Sequence, residues 1–219
     1  MSPSRRRASR PAGPPQQRPV PSPPPLVQGN PDVLGLDRAV VLVGPMAAGK
    51  TSLGKRLARA LNIPFVDSDA RIVQQHGVIT QIFEQQGESA FREMEATVIA
   101  AELARKGPRV LALGGGAVLT ERTRQLLRNH PVLLLMTTEK AVLKTANLSR
   151  RPLLKNDPGA WQRILDQRRP LYEEVADVTF RTDRFSQSAL TEVAANWITT
   201  WASEHLVDTL PMNDEDKEA

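Results

Sequence analysis

Gly44, Gly49, Lys50 and Thr51 stand in the spacing Gly-x-x-x-x-Gly-Lys-Thr, and that pattern carries a specific chemistry. Glycines let backbone N–H groups turn inward around phosphate oxygens, and the start of the following helix adds its partial positive charge. The whole loop is Gly44-Pro45-Met46-Ala47-Ala48-Gly49-Lys50-Thr51, with Ser52 next. These residues are expected to bind ATP. Lys50 is expected to reach the β- and γ-phosphates, and the Thr51 hydroxyl to ligate Mg²⁺. Ala47 is the odd member, because small kinases with this loop usually carry glycine there. If the position requires φ > 0, an alanine costs on the order of 1 kcal/mol.

The phosphate loop does not name an acceptor, and the other chemistry-bearing residues bear on that. Asp67 and Asp69 lie two apart. Two carboxylates there can divide labour, one toward Mg²⁺ through water and one toward an acceptor hydroxyl. The competing reading is a helix N-cap by Asp67, Ser68 or Asp69, which accounts for one acid and not both. Arg92 and Glu95 are i, i+3 neighbours on a predicted helix. Gly114-Gly115-Gly116 follows an apolar run and permits close backbone approach to a ligand. Arg150-Arg151-Pro152-Leu153-Leu154 sits in a patternless stretch, as a lid would. Arg168-Arg169 is read at the end of a helix, where the dipole favours cations in any case. Taken singly, each of these has a structural explanation.

The elements that must position them alternate. Apolar strand patterns occur at 39–43, 63–66, 109–113, 132–136 and 178–180. Helical patterns occur at 51–61, 69–76, 88–106, 121–128, 139–146, 158–174 and 188–204. Five strands alternating with helices predict a three-layer α/β/α fold on a parallel sheet. Ligands in such sheets bind beyond the carboxyl ends of the strands, and the motifs above fall at those ends. Trp197 and Trp201, four apart on the last helix, read as core packing. His76, His130 and His205 are scattered and read as solvated or packed side chains.

Composition sets the outer limits. The 219 residues contain no cysteine, which excludes disulfides, thiolate metal sites and cysteine nucleophiles. Residues 1–34 are expected to form a disordered Pro/Arg-rich arm. Ten of the 18 prolines and five arginines precede residue 32, with no acid among them. The basic character is therefore largely a property of the arm and is weak evidence for nucleic-acid binding by the fold. The folded domain is expected over 35–206, with a lid at about 147–160, followed by an acidic tail at 207–219. No membrane span, no secretory signal and no nucleic-acid partner is expected. The expected state is a cytoplasmic monomer.

The ordered series of motifs resembles shikimate kinase, a P-loop kinase family of nucleoside-monophosphate-kinase type. The resemblance covers roughly residues 38–200. It rests on the phosphate loop, Asp67-Ser68-Asp69, Phe91-Arg92-Glu93-Met94-Glu95, Gly114-Gly115-Gly116, Arg151-Pro152-Leu153-Leu154 and Arg168-Arg169-Pro170-Leu171-Tyr172. It implies Mg²⁺-dependent transfer of the ATP γ-phosphate to the 3-hydroxyl of shikimate. It further implies that Asp69 binds the acceptor hydroxyls and acts as base, and that Asp67 meets Mg²⁺ through water. Arg92 and Arg168 would clamp the substrate carboxylate, with Gly114, Gly115 and Gly116 lining the acceptor. Arg151 would close on the phosphates, and Glu95 would orient the substrate arginine. Lys144 stands where the family often has an arginine near the adenine, and the loop at 182–186 is too divergent to assign. The alternatives are a non-enzymatic ligand sensor of the same fold and a kinase for another small acid such as gluconate.

Overall fold

The central strand β1 (Ala39–Val43) is buried at all five positions, as a parallel strand covered on both faces must be. The computed structural model describes residues 36–145 and 159–206. The expected arm at 1–34, the tail at 207–219 and nearly all of the expected lid at 147–160, Arg151 included, lie outside the described residues. After β1 come α1 (Lys50–Ala60), β2 (Phe65–Asp67), α2 (Ser68–His76) and α3 (Ile79–Leu103). Then follow β3 (Arg109–Ala112), a 3₁₀ turn (Ala117–Leu119), α4 (Glu121–Leu127), β4 (Val132–Met136) and α5 (Glu139–Thr145). The described chain closes with α6 (Ala160–Val175), β5 (Val178–Arg181) and α7 (Gln187–Leu206).

The five strands form one sheet in the order β2-β3-β1-β4-β5, and every pair is parallel. The period of two along β1 sorts its side chains into two cores. Ala39, Val41 and Val43 join a cluster with Ile99 and Leu103 of α3, Leu127 of α4 and Trp161, Leu165 and Tyr172 of α6. Val40 and Leu42 join the opposite cluster with Leu57 of α1 and Ala194, Ile198 and Ala202 of α7. The expected three-layer α/β/α architecture is therefore present. Trp197 and Trp201 pack half-buried against the second cluster, as expected.

Three boundaries differ from expectation. The second strand starts at Phe65 rather than Ile63, because Pro64 has no N–H for the ladder. Pro64 still accepts a bond from Val110 N through its carbonyl. Helix α3 begins at Ile79, not Glu88, and breaks at Gly87, where φ is 81°. It ends at Leu103, and Arg109 holds the turn that follows. That guanidinium donates to the oxygens of Glu102, Arg105, Lys106 and Gly107. Helix α6 runs through Pro170 to Val175, close to the expected 158–174. Arg168 and Arg169 therefore lie about two turns inside the helix, and the dipole explanation for them fails.

Candidate active site

The phosphate loop is built as its sequence requires. Gly44 ends β1 with φ 136°, and a Cβ there would overlap the carbonyl oxygen of Leu135 on the neighbouring strand. Gly49 has φ 91° and is the N-cap of α1. Lys50 opens that helix and folds back over the loop, its Nζ donating to the carbonyls of Gly44 (2.7 Å) and Pro45 (2.9 Å). Ala47 has φ 64°, so the conditional expectation of a strained alanine is met. The cost of that left-handed conformation is about 1 kcal/mol.

Asp67 serves two partners at once. Its Oδ1 caps α2 by accepting from Asp69 N (3.1 Å) and Ala70 N (3.3 Å). Its Oδ2 accepts from the Thr51 hydroxyl at 2.8 Å. The carboxylate thus ties the end of β2 to the start of α1, and the Thr51–Asp67 pair places two hard oxygen donors beside the phosphate loop. Among the described residues, no group of three or more His, Cys, Asp or Glu could hold a metal ion. One hydroxyl with one carboxylate fits Mg²⁺, which keeps several waters and takes its other ligands from phosphates.

Asp69 does neither of these jobs. Its Oδ1 lies 2.6 Å from where a Cβ of Gly114 would stand, and Glu95 Oε1 lies 2.8 Å from the same point. Burial pushes the Asp69 carboxyl above the ordinary aspartate range, and nearby Asp67 pushes the same way. Lys50 and Arg92 pull against them. Glu95 is only 2 % exposed, and burial raises it despite the pull of Arg92. Arg92 Nη1 donates to Glu95 Oε2 at 2.6 Å, and Arg92 Nη2 meets Glu88 at 3.1 Å.

The glycine triplet lies close to side chains of the site and to the phosphate loop. None of its three members has positive φ; what they supply is space for neighbouring side chains. A Cβ on Gly116 would stand 2.6 Å from Arg92 Cζ, and one on Gly115 would stand 3.3 Å from the Met46 amide of the phosphate loop. The turn therefore lies against Asp69, Glu95 and Arg92 while touching the nucleotide loop. Arg168 Nη1 donates to the carbonyl of Gly115 at 3.1 Å, and the Tyr172 hydroxyl donates to the same oxygen.

Asp69, Arg92, Gly114, Gly115, Gly116 and Arg168 are thus one cluster, abutting the loop of Gly44 to Thr51. Ser52 is exposed on the first turn of α1, and Lys144 is exposed in the last turn of α5. Four residues contribute contacts that were not expected of them. Ser68 is fully buried and accepts from Gly114 N at 2.9 Å. Tyr172 fixes Gly115, and Trp161 Nε1 donates to the Met46 carbonyl at 3.0 Å. Gln187, opening α7, places its amide 3.7 Å from the Cβ position of Gly49. Serine and tyrosine were at least inside recognised motifs. Trp161 and Gln187 carry no local signal, because the groups they approach, the Met46 carbonyl and Gly49, are far away in the chain.

The arrangement can hold phosphates at one end and a small anionic polyol at the other. Two guanidinium groups suit a carboxylate, and a buried carboxylate suits vicinal hydroxyls. A family profile described as shikimate kinase matches residues 46–199. A shikimate kinase of Corynebacterium efficiens is 45% identical over 159 residues, covering 70% of this chain and 93% of that protein. One from Vibrio cholerae is 41% identical over 175 residues, covering 78% and 98%. Among solved structures, the Acinetobacter baumannii shikimate kinase in complex with shikimate superposes with a TM-score of 0.70. It is 34% identical, over 78% of this chain and 98% of that one.

Proposed function

This chain belongs to the shikimate kinase family, and we propose from that premise how its own residues transfer the γ-phosphate of ATP to the 3-hydroxyl of shikimate. The observation that carries the reading is the convergence of Asp69, Arg92 and Arg168 on the Gly114–Gly116 turn, directly against the phosphate loop.

The loop amides and Lys50 hold the phosphates of ATP. Lys50 exchanges its carbonyl partners for phosphate oxygens when nucleotide enters. Arg92 and Arg168 grip the shikimate carboxylate, with Glu95 fixing the Arg92 fork. Asp69 accepts the proton of the 3-hydroxyl as that oxygen bonds to the γ-phosphorus. The bond between the γ-phosphorus and the β,γ-bridging oxygen breaks, and ADP leaves. The raised pKa of Asp69 brings its basicity closer to that of a useful proton acceptor than an ordinary aspartate has. Thr51 and, through water, Asp67 would hold Mg²⁺, which when bound neutralises charge on the phosphates. Arg151 is proposed to close over the phosphates with the rest of the lid, excluding water. A cytoplasmic, monomeric enzyme goes with this reading. Among the described residues, no helix is long and apolar enough to cross a membrane.

The sensor alternative loses its motive, because loss of Lys50 or Asp69 would have favoured it and both are present. Product analysis tests the proposal. Incubation with ATP, Mg²⁺ and shikimate is expected to give one phosphomonoester, with phosphorus coupled to the proton on carbon 3 in NMR. Asp69→Asn is expected to abolish its formation while still binding ADP. A phosphate on another hydroxyl, or full turnover by the Asn variant, would contradict the assignment.

A further inference from the structure

Trp161 sits in the first turn of α6 and is 2 % exposed. It belongs to the core cluster beneath that helix, and apolar packing alone would explain its burial. Packing does not explain its hydrogen bond. The indole N–H reaches 115 positions back along the chain to the carbonyl of Met46, in the middle of the phosphate loop. A trans peptide is planar, so the Met46 C=O and the Ala47 N–H point in opposite directions. An indole that holds the Met46 oxygen toward α6 therefore directs the Ala47 N–H away from α6. In a phosphate loop, the direction of each N–H is the ligand set itself.

The same peptide leads into the residue with the least favourable local preference in the loop. Ala47 is left-handed, with φ 64°, a conformation glycine adopts freely and alanine does not. Asn62 is the other non-glycine residue with positive φ among the described residues, and asparagine tolerates that region. The helix that supplies the indole is itself held in place. Trp161, Leu165, Arg168 and Tyr172 share one face of α6 at helical spacing, and Arg168 and Tyr172 both bond the Gly115 carbonyl. The clamp on the nucleotide loop is thus anchored to the acceptor turn.

We propose that Trp161 is a positioning residue for the nucleotide site, its indole N–H clamping the Met46–Ala47 peptide so that an alanine can stand at position 47. This rests on the reading of the loop as an ATP cradle. The test is a cycle of four proteins: wild type, Trp161→Phe, Ala47→Gly and the double variant. ADP affinity is measured by titration calorimetry, and KM is measured for ATP and for shikimate. Loss of one buried hydrogen bond predicts that Trp161→Phe weakens ADP and raises the ATP KM by about three- to tenfold, with the shikimate KM within about twofold. Ala47→Gly alone does not weaken ADP. In the double variant the glycine rescues the loss, bringing ADP affinity to within about twofold of Ala47→Gly. Equal losses in both backgrounds, an unchanged ADP affinity in Trp161→Phe, or an equal rise in the shikimate KM would overturn the clamp. Should the Phe variant not fold, 3-benzothienylalanine at position 161 keeps the volume and lacks the donor, and the same comparison applies. The two readings fail separately. A wild-type protein that binds ADP but shows no shikimate-dependent turnover sinks the kinase assignment, whereas the clamp is judged on ADP binding.

Discussion

Glu95 shows how a single residue carries both stability and function. It is nearly fully buried, and Arg92 is the cation placed on it. Arg92→Ala therefore does two things. It removes the proposed charge-assisted contact to the acceptor carboxylate, which is expected to raise the shikimate KM by roughly 10- to 100-fold with little change for ATP. It also strands a buried carboxylate, which is expected to lower the melting temperature by several degrees. Adding Glu95→Gln should recover much of that melting temperature and none of the shikimate affinity. Steady-state kinetics and thermal melts on the two proteins check this, and an unchanged shikimate KM in Arg92→Ala contradicts the assignment. At this scale the sequence was highly legible for motif residues, because Lys50, Asp67, Asp69, Arg92 and Arg168 each sit in a recognisable spacing. It was silent on Trp161 and Gln187. The Trp161 indole, bonded to a remote carbonyl, leaves no periodic trace, since a carbonyl looks the same whatever residue bears it.

The elements explain why these residues meet. All five strands are parallel, so their carboxyl ends deliver Gly44, Asp67 and Gly114 to one edge of the sheet. The turn at Gly114–Gly116 then has to pass between side chains from α2 and α3. Gly116→Ala places a methyl group into the Arg92 guanidinium. The expected result is a shikimate KM raised by about tenfold or more through a displaced Arg92, at an ATP KM within about twofold. An unchanged shikimate KM would show that Arg92 moves freely and is not held for the acceptor. Strand and helix identities were legible because buried parallel strands read as short apolar runs. Ends were less so, wherever a long-range contact decided them. Arg109 ties the end of α3 to the turn after it through the carbonyls of Glu102, Arg105, Lys106 and Gly107, an arrangement not visible in a local window.

For the whole molecule, pH separates the two demands on Asp69. Its folded pKa is raised by burial and by Asp67, so the fold binds its proton more tightly than the unfolded chain does. That stabilising contribution is complete below the ordinary aspartate range and is lost as pH rises through the raised folded value. Activity is expected to run the other way, because Asp69 as the proposed base must be ionised. Between the ordinary and the raised pKa, kcat/KM is expected to climb. Over the same window the melting temperature of Asp69→Asn is expected to gain on that of wild type, from near equality at the acid end. A gap that narrows with rising pH would reverse the sign and remove the argument that burial tunes this carboxylate. The kinase domain proposed over 35–206 contains every residue given a role in the proposed reaction.

The central claim is that the carboxylate clamp and Asp69 select shikimate as the acceptor for the phosphate held by the loop. ADP release from the full chain with ATP and Mg²⁺, measured in parallel with shikimate, with gluconate and with no acceptor, tests this most directly. The account predicts rapid release with shikimate and only background release in the other two. Background release in all three from folded protein, or release with gluconate matching that with shikimate, would contradict it.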